Sequence, residues 1–238
     1  LEADWLPWPS ESAEPLLIDQ LKLSSYGSID DYGLEVESGF KGPMLEGLED
    51  LRGRLVGAGD SQGLRIERLD VTSAALALGG AGRLDWGDGF AADGKFELER
   101  FDPAGWFQPW GEAAPVRGKL QLAWRDGRVE FAIGELEAPG TVANLTGSGV
   151  FDPGSGEVQT ELGWRELAWP PGAAAPEVVS RTGTARLAGR LDEWSLEADL
   201  ELEAVDLPAG RLQVQGTGDR QAMALEIPRG EVLGGSLA

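Results

Sequence analysis

Apolar positions along this chain recur with a period of two. Between Trp194 and Ala204, Leu196, Ala198, Leu200 and Leu202 alternate with Glu197, Asp199, Glu201 and Glu203. A helix would scatter these acids around its circumference, whereas a strand sets them on one face and the leucines on the other. The alternation returns at Leu17/Asp19/Leu21/Leu23, Leu34/Val36, Leu64/Ile66, Phe96/Leu98, Val158/Thr160/Leu162/Trp164 and Leu212/Val214. No segment sustains a helical period over several turns, so nearly the whole chain is predicted as strand.

Turn chemistry predicts how the strands pair. Leu120, Leu122 and Trp124 run into Asp126-Gly127, followed by Val129, Phe131 and Ile133. Asp-Gly suits the positive φ angles of a two-residue hairpin turn. It sets Trp124 opposite Val129, Leu122 opposite Phe131 and Leu120 opposite Ile133, all on one face. A second hairpin is predicted around a three-residue loop, Gly87-Asp88-Gly89, with Trp86 facing Phe90, Leu84 facing Ala92, Gly80 facing Phe96 and Leu78 facing Leu98. A third pairs Leu212 and Val214 with Ile227 and Leu225 across a turn at Asp219-Arg220. In each, one face is apolar and the other polar.

A strand ending also repeats: an apolar residue, then Gly at the second and fourth following positions. It occurs at Leu55-x-Gly57-x-Gly59, Leu78-x-Gly80-x-Gly82, Leu145-x-Gly147-x-Gly149 and Val214-x-Gly216-x-Gly218, with Asp60, Asp85, Asp152 and Asp219 close behind. Paired glycines on an apolar face let a strand coil sharply. Phe101-Asp102-Pro103-Ala104-Gly105-Trp106-Phe107 is predicted as a helical turn, with Asp102 as its cap and Pro103 in its first position. Trp5–Pro15 and Trp169–Pro176 read as linkers, and no shift in composition divides the chain firmly into domains.

Composition removes whole classes of chemistry. The 238 residues include no His and no Cys. Imidazole acid–base work, Ser-His triads, thiol nucleophiles, disulfides and the usual zinc sites are therefore excluded. Asp85, Asp88 and Asp93 lack the spacing of a calcium loop and are ordinary turn residues. The pairs Glu97/Glu99 and Glu201/Glu203 belong to a solvated strand face, not to a glycosidase dyad. No enzyme and no cofactor is expected. The net charge of −21 repels phosphate backbones, so nucleic acid is not a partner.

What remains is an apolar face that persists strand after strand, with almost no helix to cover it. Apolar surface left in water costs roughly 25 cal/mol per Å². Either a second sheet covers it, as in a sandwich, or the sheet curls into a trough that holds a hydrophobic ligand or folds on itself. The expected fold class is all-β, an elongated, curled antiparallel or mixed sheet with at most one or two short helical turns, continuous over residues 1–238. The expected lining comprises Leu64, Ile66, Leu78, Leu84, Trp86, Phe96 and Leu98, then Leu120, Leu122, Trp124, Val129, Phe131 and Ile133. It continues with Leu162, Trp164, Leu196, Leu200, Leu202, Leu212, Val214, Leu225 and Ile227.

Several strand endings resemble a known family. Gly82-Arg83-Leu84-Asp85-Trp86, Phe101-Asp102-Pro103-Ala104-x-Trp106 and Gly118-x-Leu120 are similar to those of TamB-like proteins of the AsmA-like group. So are Leu187-x-Gly189-x-Leu191-Asp192-x-Trp194, Gly216-x-Gly218-Asp219 and Val232-Leu233-Gly234-Gly235-Ser236-Leu237, and the resemblance covers roughly residues 50–238. It implies a taco-like apolar trough in the Gram-negative periplasm. It also implies movement of phospholipid between the inner and outer membranes and support for outer-membrane protein assembly. The implied partners are phospholipid, a TamA-like outer-membrane barrel met through a C-terminal region, and the inner membrane, reached through an N-terminal anchor. Neither end is recognisable here, and the chain reads as an internal piece. Two other readings use the same strands: a chaperone that adds strands to outer-membrane proteins, and a sealed sandwich or β-helix with a structural or adhesive role.

Overall fold

The computed structural model describes residues 2–8, 16–42, 45, 47–105, 114–190, 192–204, 207–219, 222–232 and 235–237. Strands β1 to β5 are Glu2–Trp8, Leu16–Ser28, Asp31–Lys41, Leu51–Asp60 and Gly63–Thr72. Strands β6 to β10 are Leu76–Asp85, Ala91–Phe101, Val116–Arg125, Arg128–Ala138 and Val142–Asp152. Strands β11 to β16 are Glu157–Trp169, Val178–Arg190, Glu193–Ala204, Leu207–Gly218, Met223–Val232 and Gly235–Leu237. Among the described residues, helix amounts to a 3-10 turn at Pro103–Gly105 and 3-10 geometry at Leu45.

The sixteen strands form one open, curled sheet in unbroken sequence order, each antiparallel to the next. No parallel pair occurs among the described residues, because each connection only has to reach the adjacent strand. Each strand makes its main contacts with its sequence neighbours alone. The accessible surface is 15342 Å², against about 10,000 Å² for a compact monomer of 25.3 kDa. Among the described residues no large side chain is fully buried, and the best-buried apolar ones are Leu64, Leu98, Ala138, Val142 and Ala198. A two-layer domain of this size would hide far more.

The Asp126-Gly127 hairpin forms in the expected register: Trp124 pairs with Val129, Leu122 with Phe131 and Leu120 with Ile133. Positive φ at Asp126 (52°) and Gly127 (77°) is what the two-residue turn demands. The second hairpin agrees along its ladder, at Leu84/Ala92, Gly80/Phe96 and Leu78/Leu98, but pairing closes at Asp85/Ala91. Trp86 and Phe90 do not face each other across a three-residue loop. The Trp86 backbone N–H instead donates to the Gln62 carbonyl in the neighbouring turn, at 2.9 Å.

The third hairpin is shifted by two residues next to its turn and by three beyond an irregularity between Gln213 and Gln215. Leu225 pairs with Gly216 and Leu212 with Gly230, while an irregularity leaves Ile227 without a direct partner. The turn is longer than expected: the Asp219 side chain accepts from the Ala222 N–H at 2.9 Å, and the Asp219 N–H donates to the Ala222 carbonyl at 2.9 Å. An even-numbered slip keeps each side chain on its own face, so the pattern tolerates it.

The helical turn is shorter than expected. Asp102 caps it by accepting from the Ala104 N–H at 3.0 Å, and Trp106 and Phe107 lie outside the described residues. Neither expected linker separates domains. Trp5–Trp8 belongs to β1, residues 9–15 lie outside the described residues, and Trp169–Pro176 leads from β11 into β12 of the same sheet. Arg220, Leu191, Leu233 and Gly234 also lie outside the described residues.

Candidate functional site

Residues directly opposite in adjacent strands share a face, so the register traces rows across the sheet. One row contains Leu64, Leu84, Trp124 and Val129. The next contains Ile66, Leu122, Phe131, Leu196 and Leu225. A third holds Phe96, Leu120, Ile133, Leu162 and Val214, and a fourth Leu78, Leu98, Trp164, Leu200 and Leu212. Leu202 starts a fifth, opposite Ser180 and Gly210. All the residues of the expected lining thus share one face of the sheet except Trp86, in a loop, and Ile227, at a register break.

The rows also collect residues that simple alternation misses. Leu69 and Val71 carry the apolar face of β5 onward after Ile66, because Glu67 is an extra residue against β4 and reverses the parity. Gly134 does the same on β9 and brings in Leu136. Such bulges bend a strand and increase its local twist. Their signal in the sequence is a spacing of two, three, two among apolar positions (64, 66, 69, 71) where a regular strand keeps strictly to two.

Large rings lie over glycines across the strands. Phe96 pairs with Gly80, Phe131 with Gly149, Trp164 with Gly183, Trp194 with Gly218 and Tyr32 with Gly59. A β-carbon at Gly149 would sit 2.5 Å from the Phe131 ring, and one at Gly218 would sit 2.5 Å from the Trp194 ring. One glycine of each repeated Gly-x-Gly strand ending, Gly59, Gly80, Gly149 and Gly218, is therefore a socket for an aromatic neighbour on the apolar face.

The opposite face is a charge ladder. Arg54 pairs with Glu35, Arg186 with Glu161 (3.1 Å), Arg211 with Glu201 (2.9 Å) and Arg181 with Glu203 (2.6 Å). The carboxylates beside Arg54 and Arg186 hold both guanidiniums firmly protonated, chiefly through side-chain hydrogen bonds. These pairs are well exposed, and each adds little stability; collectively they keep that face in water. A cleft of about 830 Å³ on this side is lined by Asn144, Arg165, Thr182, Glu201, Arg211 and Glu231, among others. A twisted, coiled sheet can be hollow along a diagonal on either side; three arginines and three acids line this hollow together with Trp164, Leu200 and Leu212. Among the described residues no group of His, Cys, Asp or Glu could hold a metal ion.

Alternation on strand after strand, glycine sockets and an uncovered apolar face are now joined by a match in sequence. The profile of the family described as TamB, N-terminal domain, matches residues 1–148. The chain belongs to the TamB family. Within the match lie Gly82–Trp86, Phe101–Trp106 and Gly118–Leu120 of the resembling strand endings, whereas those from Leu187 onward lie beyond it. The match also takes in residues 1–49, which those endings do not reach. No curated protein and no solved structure matches the chain. For a TamB-family chain the geometry presents one long apolar surface, a solvated reverse face and no catalytic constellation among the described residues.

Proposed function

We propose that this TamB-family chain is a segment of a periplasmic bridge whose apolar face carries phospholipid acyl chains between the inner and outer membranes. The observation that supports this most is the continuity of the apolar rows from strand to strand with no covering layer. Hydrocarbon resting on that face would remove it from water, and headgroups would stay solvated at a rim. Movement would be passive sliding along a continuous apolar surface, with no bond made or broken, so no catalyst is called for. Supporting outer-membrane protein assembly together with a TamA-like barrel belongs to the same reading.

The test uses Leu122→Asp and Leu200→Asp, each of which sets a charge in the middle of a row. Native mass spectrometry of the purified wild-type chain is expected to show bound phospholipid. Both variants are expected to keep the strand signature in far-ultraviolet circular dichroism and to lose most of the bound lipid. Variants that fold and retain lipid at the wild-type level sink the reading.

A further inference from the structure

The two long rims of the sheet are built differently. At one rim lie the turns that lead from even-numbered into odd-numbered strands; at the other lie the odd-to-even connections. The odd-to-even rim folds in on itself around β9 to β12. Ala138 is fully buried there, Thr141 is 2% exposed, and Val142 and Ser180 are also buried. Two backbone bonds join the β9–β10 turn to the end of β11 and the connection beyond it: Ala168 N–H to the Thr141 carbonyl at 2.6 Å, and Gly172 N–H to the Gly140 carbonyl at 3.2 Å.

The even-to-odd rim is distinguished by rings tethered to backbone carbonyls. It too has a turn-to-turn backbone bond, Trp86 N–H to the Gln62 carbonyl at 2.9 Å, and the other rim carries an exposed ring, Trp169, 46% exposed. Trp86 donates its indole N–H to the Ser61 carbonyl at 3.0 Å. Trp194 donates to the Asp219 carbonyl at 3.3 Å. Tyr32 reaches the Gly63 carbonyl at 3.5 Å. Each ring thus turns its polar tip toward the rim while its body lies on or beside the apolar face. Phe90 and Met223 stand 57% and 58% exposed at the same rim. Amphipathic rings that straddle an apolar and a wet zone are what the boundary between hydrocarbon and headgroup selects.

Dimensions agree with an amphiphile lying along the strands. Successive rows lie about 6.8 Å apart, two residues of strand rise, so four rows span about 20 Å. One leaflet of a bilayer contributes about 15 Å of hydrocarbon. A phospholipid tail therefore fits between the rims with its headgroup at one of them.

We infer that phospholipid lies across the sheet with its glycerol and headgroup at the aromatic even-to-odd rim and its chain ends toward the folded-in rim. This rests on the lipid-carrying reading and adds an orientation to it. The chain has no cysteine, so single thiols report without background. Phe90→Cys marks the aromatic rim and Leu167→Cys the other, both at side chains already exposed to solvent. Each variant carries the same small thiol-linked fluorophore and is loaded from detergent, then freed of vesicles by gel filtration. The probe is phosphatidylcholine brominated either near the carbonyl end or near the methyl end of its chains.

Carbonyl-end bromines are expected to quench the Phe90 label at least twofold more than methyl-end bromines, with the order reversed at the Leu167 label. Equal quenching at both rims, or the opposite order, overturns the orientation while leaving lipid carriage standing. No quenching of either label by either lipid overturns the orientation together with the carriage on which it depends.

Discussion

Single residues carry two kinds of work in this sheet. Apolar side chains define the face, and small or acidic ones let the chain turn back. Asp152 shows the second kind. Its carboxylate accepts from the Gly154 N–H at 2.9 Å and the Ser155 N–H at 3.1 Å, and Arg128 lies 3.6 Å away. Those contacts, the Ser155 backbone bond foremost, hold its pKa below the usual carboxylate range. The folded state therefore favours the charged form. The stabilisation is present at neutral pH and is lost as pH falls below roughly 4 and through the lowered value. Asp152→Asn keeps an acceptor oxygen but removes the charge. It is expected to lower the thermal midpoint slightly at pH 7 and to match the wild type at the acid end of the titration. A gap of constant size from pH 7 to pH 2, followed by circular dichroism, contradicts this account.

Elements were legible in the sequence to different degrees. The β8–β9 hairpin was readable from its turn as far as the Leu120–Ile133 pair, since Asp126-Gly127 and the parity of six apolar residues allow one register there. Gly127 at φ 77° is held there by the turn, and a β-branched side chain would strain that conformation. Gly127→Val is expected to destabilise the fold by about 1–2 kcal/mol, read from urea unfolding, while Asp126→Asn costs much less because Asn tolerates positive φ. The β14–β15 hairpin was readable only as to face. Gly216 and Gly218 have no side chains to fix register, so a slip of two residues leaves the pattern intact. The bulges at Glu67 and Gly134 were written in the spacing of apolar residues, yet that spacing does not say which strand yields the extra residue. Trp86 escaped its expected place because the turn between β4 and β5, distant in sequence, offered its indole a carbonyl.

At the scale of the whole molecule, the decisive property is that each strand's main contacts are with its sequence neighbours. Such a sheet is quasi-one-dimensional, and its stability is close to a sum of nearest-neighbour interfaces. Removing residues 219–238, which carry β15 and β16, is therefore expected to leave the remaining strands folded. Far-ultraviolet ellipticity should fall about in proportion to the strands lost, and amide protection in the β8–β12 region should persist in hydrogen exchange. Global unfolding of the shortened chain would mean that distant strands support one another in a way the contacts do not show. The net charge of −21 acts at the same scale. It discourages two copies from pairing their apolar faces, a risk inherent in leaving so much hydrocarbon uncovered.

The sequence by itself determined the strand period, the two-faced character of most strands, the recurrent Gly-x-Gly strand endings and the absence of imidazole and thiol chemistry. The first three follow from side-chain alternation and backbone sterics, which act within a few residues, and the last from a composition without His or Cys. Whether the apolar face would be sealed or left open was decided only in the tertiary structure. An alternating strand has the same sequence under a second sheet as over an empty groove, because burial depends on what lies some 10 Å above it. Here strict neighbour-to-neighbour pairing brings no second layer over the described strands, and the difference between the two rims arises from contacts that no local pattern encodes.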